Sequence, residues 1–151
     1  MSRRVLAAVL AAVMLVGCQE EAPQPAAKSG TGELRTDLEP LVKRFPTLAT
    51  ATGARWMSGT FGRADIPGPS TYWIDAVVVL EASEVERLVS AHAPTATGEQ
   101  PDVVEELNEQ LPHGPFLTGD ALDAALQHED WRVDSYLARE SGELVLVAMG
   151  T

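Results

Sequence analysis

Three histidines, His92, His113 and His128, are the residues of this 151-residue chain best suited to acid–base or metal work. None stands at a ligand spacing from another histidine or from a carboxylate pair, and no HExxH segment is present. His92 falls at a helix end, where an imidazole interacts favourably with the helix dipole, and His113 lies in a proline-glycine loop. Ser58 and Ser70 lack the GxSxG elbow that exposes a nucleophilic hydroxyl, although a triad built from distant residues needs no such signature. Asp120, Asp123, Glu129 and Asp130 gather carboxylates without the oxygen spacing and glycine of an EF-hand loop, so they read as a solvated face. Glu105, Glu106 and Glu109 likewise fall away from the apolar stripe of their segment. No residue is assigned a catalytic role, no metal site is expected, and no cofactor is called for.

The one cysteine, Cys18, carries a clearer chemical signal. Arg3 and Arg4 precede an apolar run from Val5 to Val16, which ends in the small residue Gly17 before Cys18. That is the anatomy of a signal peptide, and the run is shorter than the ~20 apolar residues a spanning helix needs. Leu15, Val16, Gly17 and Cys18 resemble the lipobox of bacterial lipoproteins at all four positions. The resemblance implies a diacylglycerol thioether on Cys18 and cleavage between Gly17 and Cys18 by the lipoprotein-processing machinery. Two acyl chains, at ~0.8 kcal/mol per buried methylene, anchor a protein durably where one binds only marginally. The expected location is the extracytoplasmic face of a cell membrane, with lipid as the attachment.

Cleavage divides the chain into a signal peptide (1–17), a lipidated cysteine with a disordered tether (18–33) and one domain (34–151). The tether expectation rests on Pro23, Pro25, Ser29, Gly30 and Gly32, among which no apolar period appears. A flexible segment of about 15 residues spans on the order of 20 Å. With a single cysteine no internal disulfide can form, so stability must come from packing. Loss of Arg3 and Arg4 reduces 11 basic residues to nine against 22 acidic ones, so the formal charge of −11 becomes −13. Such a chain repels phosphate backbones, which excludes nucleic acid as a partner class.

Apolar periodicity then lays out the domain. Leu38, Leu41, Val42 and Phe45 recur at helical spacing behind a capping box of Thr36 and Glu39. Residues 54–63 and 71–81 have strand composition, and the run Val77, Val78, Val79, Leu80 marks a strand covered on both faces. Ser83 and Glu86 form a second capping box before a helix ending near His92. Further helices are expected from Pro101 to Leu111 and from Gly119 to Gln127. Two last strands, 131–139 and 143–149, flank the turn Glu140, Ser141, Gly142. The pattern predicts an α+β domain: an antiparallel sheet of about four strands, formed by two hairpins, with helices mainly on one face.

The segment from Arg63 to Trp73 joins a charged pair to a proline-glycine turn and two aromatics. Arg63, Asp65, Tyr72 and Trp73 are the candidate binding residues, because a stiff loop loses little entropy and aromatics offer large contact area. The competing expectation is a structural loop in which Arg63 pairs with Asp65 while Tyr72 or Trp73 enters the core. This stretch, continued by Ile74, Asp75 and Ala76 and taken with the lipobox, resembles small secreted or lipid-anchored proteins of high-G+C Gram-positive bacteria. The resemblance spans about residues 54–89 and supplies no catalytic residues. Three functions follow as expectations: a noncatalytic module binding an unidentified protein or small ligand, a small hydrolase with a spatially assembled His and carboxylate, or an accessory subunit of an envelope complex.

Overall fold

A computed structural model describes residues 27–29, 32–62 and 67–151. The signal peptide, Gly17, Cys18, most of the tether, Arg63 and Asp65 lie outside the described residues. The order of elements is β1 (Lys28–Ser29), α1 (Glu39–Arg44), a single 3-10 turn (Pro46–Leu48), β2 (Gly53–Phe61), β3 (Thr71–Val79) and α2 (Ala82–His92). There follow β4 (Thr95–Ala96), α3 (Glu105–Asn108), β5 (Leu117–Thr118), α4 (Asp120–Leu126), β6 (Arg132–Ala138) and β7 (Glu143–Gly150).

The fold is α+β, on one antiparallel sheet of order β1-β2-β3-β7-β6-β5-β4. Among the described residues the sheet has seven strands where about four were expected. The four long strands are those expected, paired as the hairpins β2–β3 and β6–β7 and joined through β3–β7. The three added strands are two residues each, too short to show any period in sequence.

β3 and β7 occupy the middle of the sheet, which explains their unbroken apolar runs. Successive side chains point to opposite faces. Leu144, Leu146 and Ala148 therefore join Ala76 and Val78 in the larger core cluster, with Leu41, Val85, Leu88, Leu122 and Leu126 from α1, α2 and α4. Val145 and Val77 face the other way, into a smaller cluster closed by Val103, Leu107 and Phe116. α1, α2 and α4 thus cover one face, while α3 sits on the other.

Neither capping box forms. Leu38 and Glu81 are the N-caps of α1 and α2, and neither makes a side-chain cap bond. Glu86 reaches instead to Arg139, and Glu84 is engaged by Arg87. The helix expected over 101–111 contracts to the four residues of α3. The reason lies beneath it: the Asp75 carboxylate accepts the Val104 N–H at 2.7 Å, and Lys28 Nζ donates to the Asp102 carbonyl at 3.1 Å. Backbone groups a helix would use are already committed.

Lys28 and Ser29, assigned from sequence to the tether, belong to the sheet. Ser29 pairs with Thr60, the Gly32 N–H donates to the Ser58 carbonyl, and Arg35 exchanges backbone hydrogen bonds with Trp56 at 2.8 and 2.9 Å. These contacts cover the outer edge of β2, which would otherwise present open donors and acceptors. Lys28 Nζ meets both carboxylate oxygens of Asp75 at 2.8 and 2.7 Å, and Asp75 is fully buried. Burial pushes the Asp75 carboxyl above its usual range, against the pull of Lys28 and the Val104 N–H.

Candidate functional site

At the end of the larger-core face that the helices leave uncovered, a hollow of about 430 Å³ opens over β2 and β3. Strand alternation places Trp56 and Ser58 of β2 on this face with Tyr72 and Ile74 of β3, in a register that sets Ser58 opposite Ile74. Trp131, just ahead of β6, forms one wall. Its indole lies directly on the backbone of Gly150, where a Cβ would come within 2.6 Å of the ring. Phe45 braces it edge-on, with ring centroids 5.8 Å apart. Arg35 and Arg44 complete the lining, Arg44 from the last turn of α1.

Arg35 is fixed from two sides. Its guanidinium stands 4.2 Å from the Trp56 ring centroid, and Nε and Nη2 both donate to the Asp37 carboxylate. The same bonds hold the Asp37 carboxyl below its ordinary range. Trp56 is held in turn by donating its Nε1–H to the Asp37 carbonyl at 2.9 Å. Arg35 therefore arrives oriented, with Nη1 uncommitted among the described residues. Arg44 has one long contact, 3.4 Å from Nη1 to the Pro40 carbonyl, and no carboxylate partner among the described residues.

Two of the candidate binding residues lie on the described chain, and they part company. Tyr72 is 45% exposed and lines the groove. Trp73, its neighbour on a strand, is fully buried, donates Nε1–H to the Ser29 carbonyl at 3.2 Å and has Lys28 Nζ 5.6 Å from its ring. Trp73 also borders the hollow, but with no exposed surface of its own it serves to lock Lys28 and Ser29 to the sheet, and of the two it is Tyr72 that presents contact area. Arg35, Arg44 and Trp131 were not singled out from sequence. They come from three separated stretches, so no spacing could have announced them.

A second hollow, of about 520 Å³, lies beside β5, β6 and the start of α4, with Glu99, Asp120, Asp123 and Asp134 in its lining. Two of these four carboxylates, Asp123 and Glu99, are bonded within it. Asp123 Oδ1 accepts both the N–H and the hydroxyl of Ser135, while Glu99 accepts from the hydroxyls of Thr97 and Thr118 at 2.9 and 3.0 Å. Burial, then the charges of Asp123 and Glu99, push the Asp134 carboxyl above its usual range. Among the described residues no group of three or more His, Cys, Asp or Glu is arranged to hold a metal ion.

The histidines stand apart from both hollows. His92 ends α2, His113 is exposed, and His128 Nε2 lies 3.8 Å from the solvent-facing Glu129 carboxylate. Ser58 lies in the groove lining, and Ser70 is exposed. No described helix is long and apolar enough to cross a membrane. The chain matches no protein-family model, no curated protein and no solved structure.

Proposed function

We propose that this chain is the precursor of a lipoprotein, cut between Gly17 and Cys18 and anchored through lipid on Cys18 to the extracytoplasmic face of a cell membrane. Its domain is a noncatalytic binding module, and the groove of Arg35, Arg44, Trp56, Tyr72 and Trp131 is its binding site. The observation that carries the binding assignment is the pairing of exposed aromatic surface with unspent guanidinium donors in one pre-formed hollow. The lipobox carries the anchor assignment. The groove lining contains no histidine, so the hydrolase alternative gains nothing from it.

Two experiments test the two halves. Intact-mass analysis of membrane-associated protein should give a chain beginning at Cys18 with added diacylglycerol, absent in Cys18→Ser; an unlipidated product or a retained leader overturns the anchor. A photoreactive amino acid placed at position 72 should crosslink to a partner or ligand in intact cells, while one at position 120, in the acidic hollow, should not. Adducts from 120 alone would move the site.

A further inference from the structure

Among the described residues the lining of the groove contains no Asp or Glu side chain, in a chain that carries 22 of them. It does contain two arginines. One is pre-oriented by Asp37 and Trp56, the other is without a carboxylate partner among the described residues. Thr151 reaches the rim, and neither arginine makes an ion pair with it. On a strongly acidic protein this hollow gathers two guanidinium groups, one balanced by Asp37 and one with no carboxylate partner among the described residues, beside the flat Trp131 ring and Tyr72. Guanidinium groups match carboxylate and phosphate oxygens in geometry as well as charge.

We infer that the groove takes a small organic anion, its carboxylate or phosphate against Arg35 and Arg44 and its planar apolar body against Trp131 and Tyr72. The inference rests on reading the groove as the binding site. A volume of about 430 Å³ suits a ligand of metabolite size. Arg35 supplies its Nη1 group in a fixed position at little entropic cost, since its side chain is ordered by Asp37 and Trp56 before the ligand arrives. Arg44 has only its long contact to the Pro40 carbonyl and no carboxylate to balance it among the described residues, so it should contribute most to discrimination between charged and neutral molecules.

The test is calorimetric titration of the full chain in nonionic detergent with four probes: phenyl phosphate, benzoate, phenol and inorganic phosphate. Phenyl phosphate and benzoate should bind. Phenol and inorganic phosphate, each with half of the recognised chemistry, should bind at least about tenfold more weakly. Arg44→Ala should weaken phenyl phosphate by about tenfold or more while leaving phenol unchanged, and Arg44→Lys should recover part of the loss. Phenol binding as tightly as phenyl phosphate, in both the native chain and Arg44→Ala, overturns the anion inference and leaves the groove as an apolar binding site. Absence of binding by all four probes also overturns it. Crosslinking at position 72 then decides whether the groove reading falls as well.

Discussion

These two hollows are of similar size, one lined by carboxylates and the other by arginines and aromatic rings, and we read only the second as a binding site. In the acidic hollow, Asp123 is used by Ser135 and Glu99 by two threonines, so its charges close the fold around the open edge of β6. In the basic groove, Arg44 and half of Arg35 point at solvent beside aromatic rings. A charged group with a partner inside the fold holds structure, as Asp123, Glu99 and the Asp37-bound side of Arg35 do, whereas Asp120 and Asp134 in the acidic hollow and Arg44 in the groove have no carboxylate or hydroxyl partner among the described residues. The groove differs in setting its uncommitted guanidinium donors beside exposed aromatic rings.

The same rule reaches its extreme at Asp75, and breaking that pair should give the largest effect. Lys28→Ala leaves a fully buried carboxylate with only the Val104 N–H to hold it, and removing one member of a buried pair costs about 3–5 kcal/mol. Urea unfolding should show this loss. The Asp75 pKa is raised on folding, so the native state binds this proton more tightly than the unfolded state does. Its contribution to stability is therefore fully present at low pH and declines as pH rises through the folded-state value. Without Lys28 that value rises further, so the penalty of Lys28→Ala should shrink as pH is lowered. A pH-independent penalty would contradict the assignment.

Trp73→Ala should follow closely, at about 3–5 kcal/mol, because a buried indole leaves a cavity and the Ser29 carbonyl loses its donor. Tyr72→Ala, one residue away, should change stability by under about 1 kcal/mol while weakening binding in the groove. Equal losses of stability would mean that Tyr72 is structural after all.

Asp123→Ala should cost about 1–3 kcal/mol, since it strips the Ser135 N–H and hydroxyl of their acceptor, and it should leave groove binding intact. Arg44→Ala should do the reverse, within about 0.5 kcal/mol in stability. This pair of variants is the sharpest form of the comparison. A loss of binding in Asp123→Ala without loss of fold would transfer function to the acidic hollow.

The smallest effect concerns Asp134, whose carboxyl is raised by burial and by the neighbouring acids. A raised carboxyl takes up its proton in the native state first, so stability from this group is gained as pH falls through its folded-state value. The gain is complete below the ordinary carboxylate range. Asp37 and Glu84, both lowered by arginine partners, run the other way and lose their contribution as pH falls through their folded-state values. Thermal melts of Asp134→Asn beside the native chain check this: the variant should be the more stable at neutral pH, and the difference should vanish in acid.

The legibility of the sequence follows the same division between local pattern and distant partnership. β2, β3, β6 and β7 were readable because period-two alternation and the Val77–Leu80 run are local signals. The expected capping boxes failed because α1 begins behind Leu38 and α2 behind Glu81, so that neither Thr36 nor Ser83 stands at an N-cap, and Glu86 is bonded instead to Arg139, 53 residues away. The helix over 101–111 shortened because Asp75 and Lys28 claimed its backbone from 29 and 74 residues away. Tyr72 and Trp73 stood out together as aromatics, but strand alternation sent one to the groove and the other to the core. The rest of the groove is drawn from distant stretches, and only the tertiary fold brings Arg35, Arg44 and Trp131 together.

The three tryptophans offer the most direct test, since one forms the groove wall and another is sealed beneath the sheet. Indole N–H resonances of the full chain, followed by NMR during titration with phenyl phosphate, should show the Trp131 signal moving in a saturable way. The Trp73 signal, held on the Ser29 carbonyl, should stay in place. A stationary Trp131 signal, with saturable shifts confined to the amides of Asp134 and Ser135, would place binding in the acidic hollow and contradict the account.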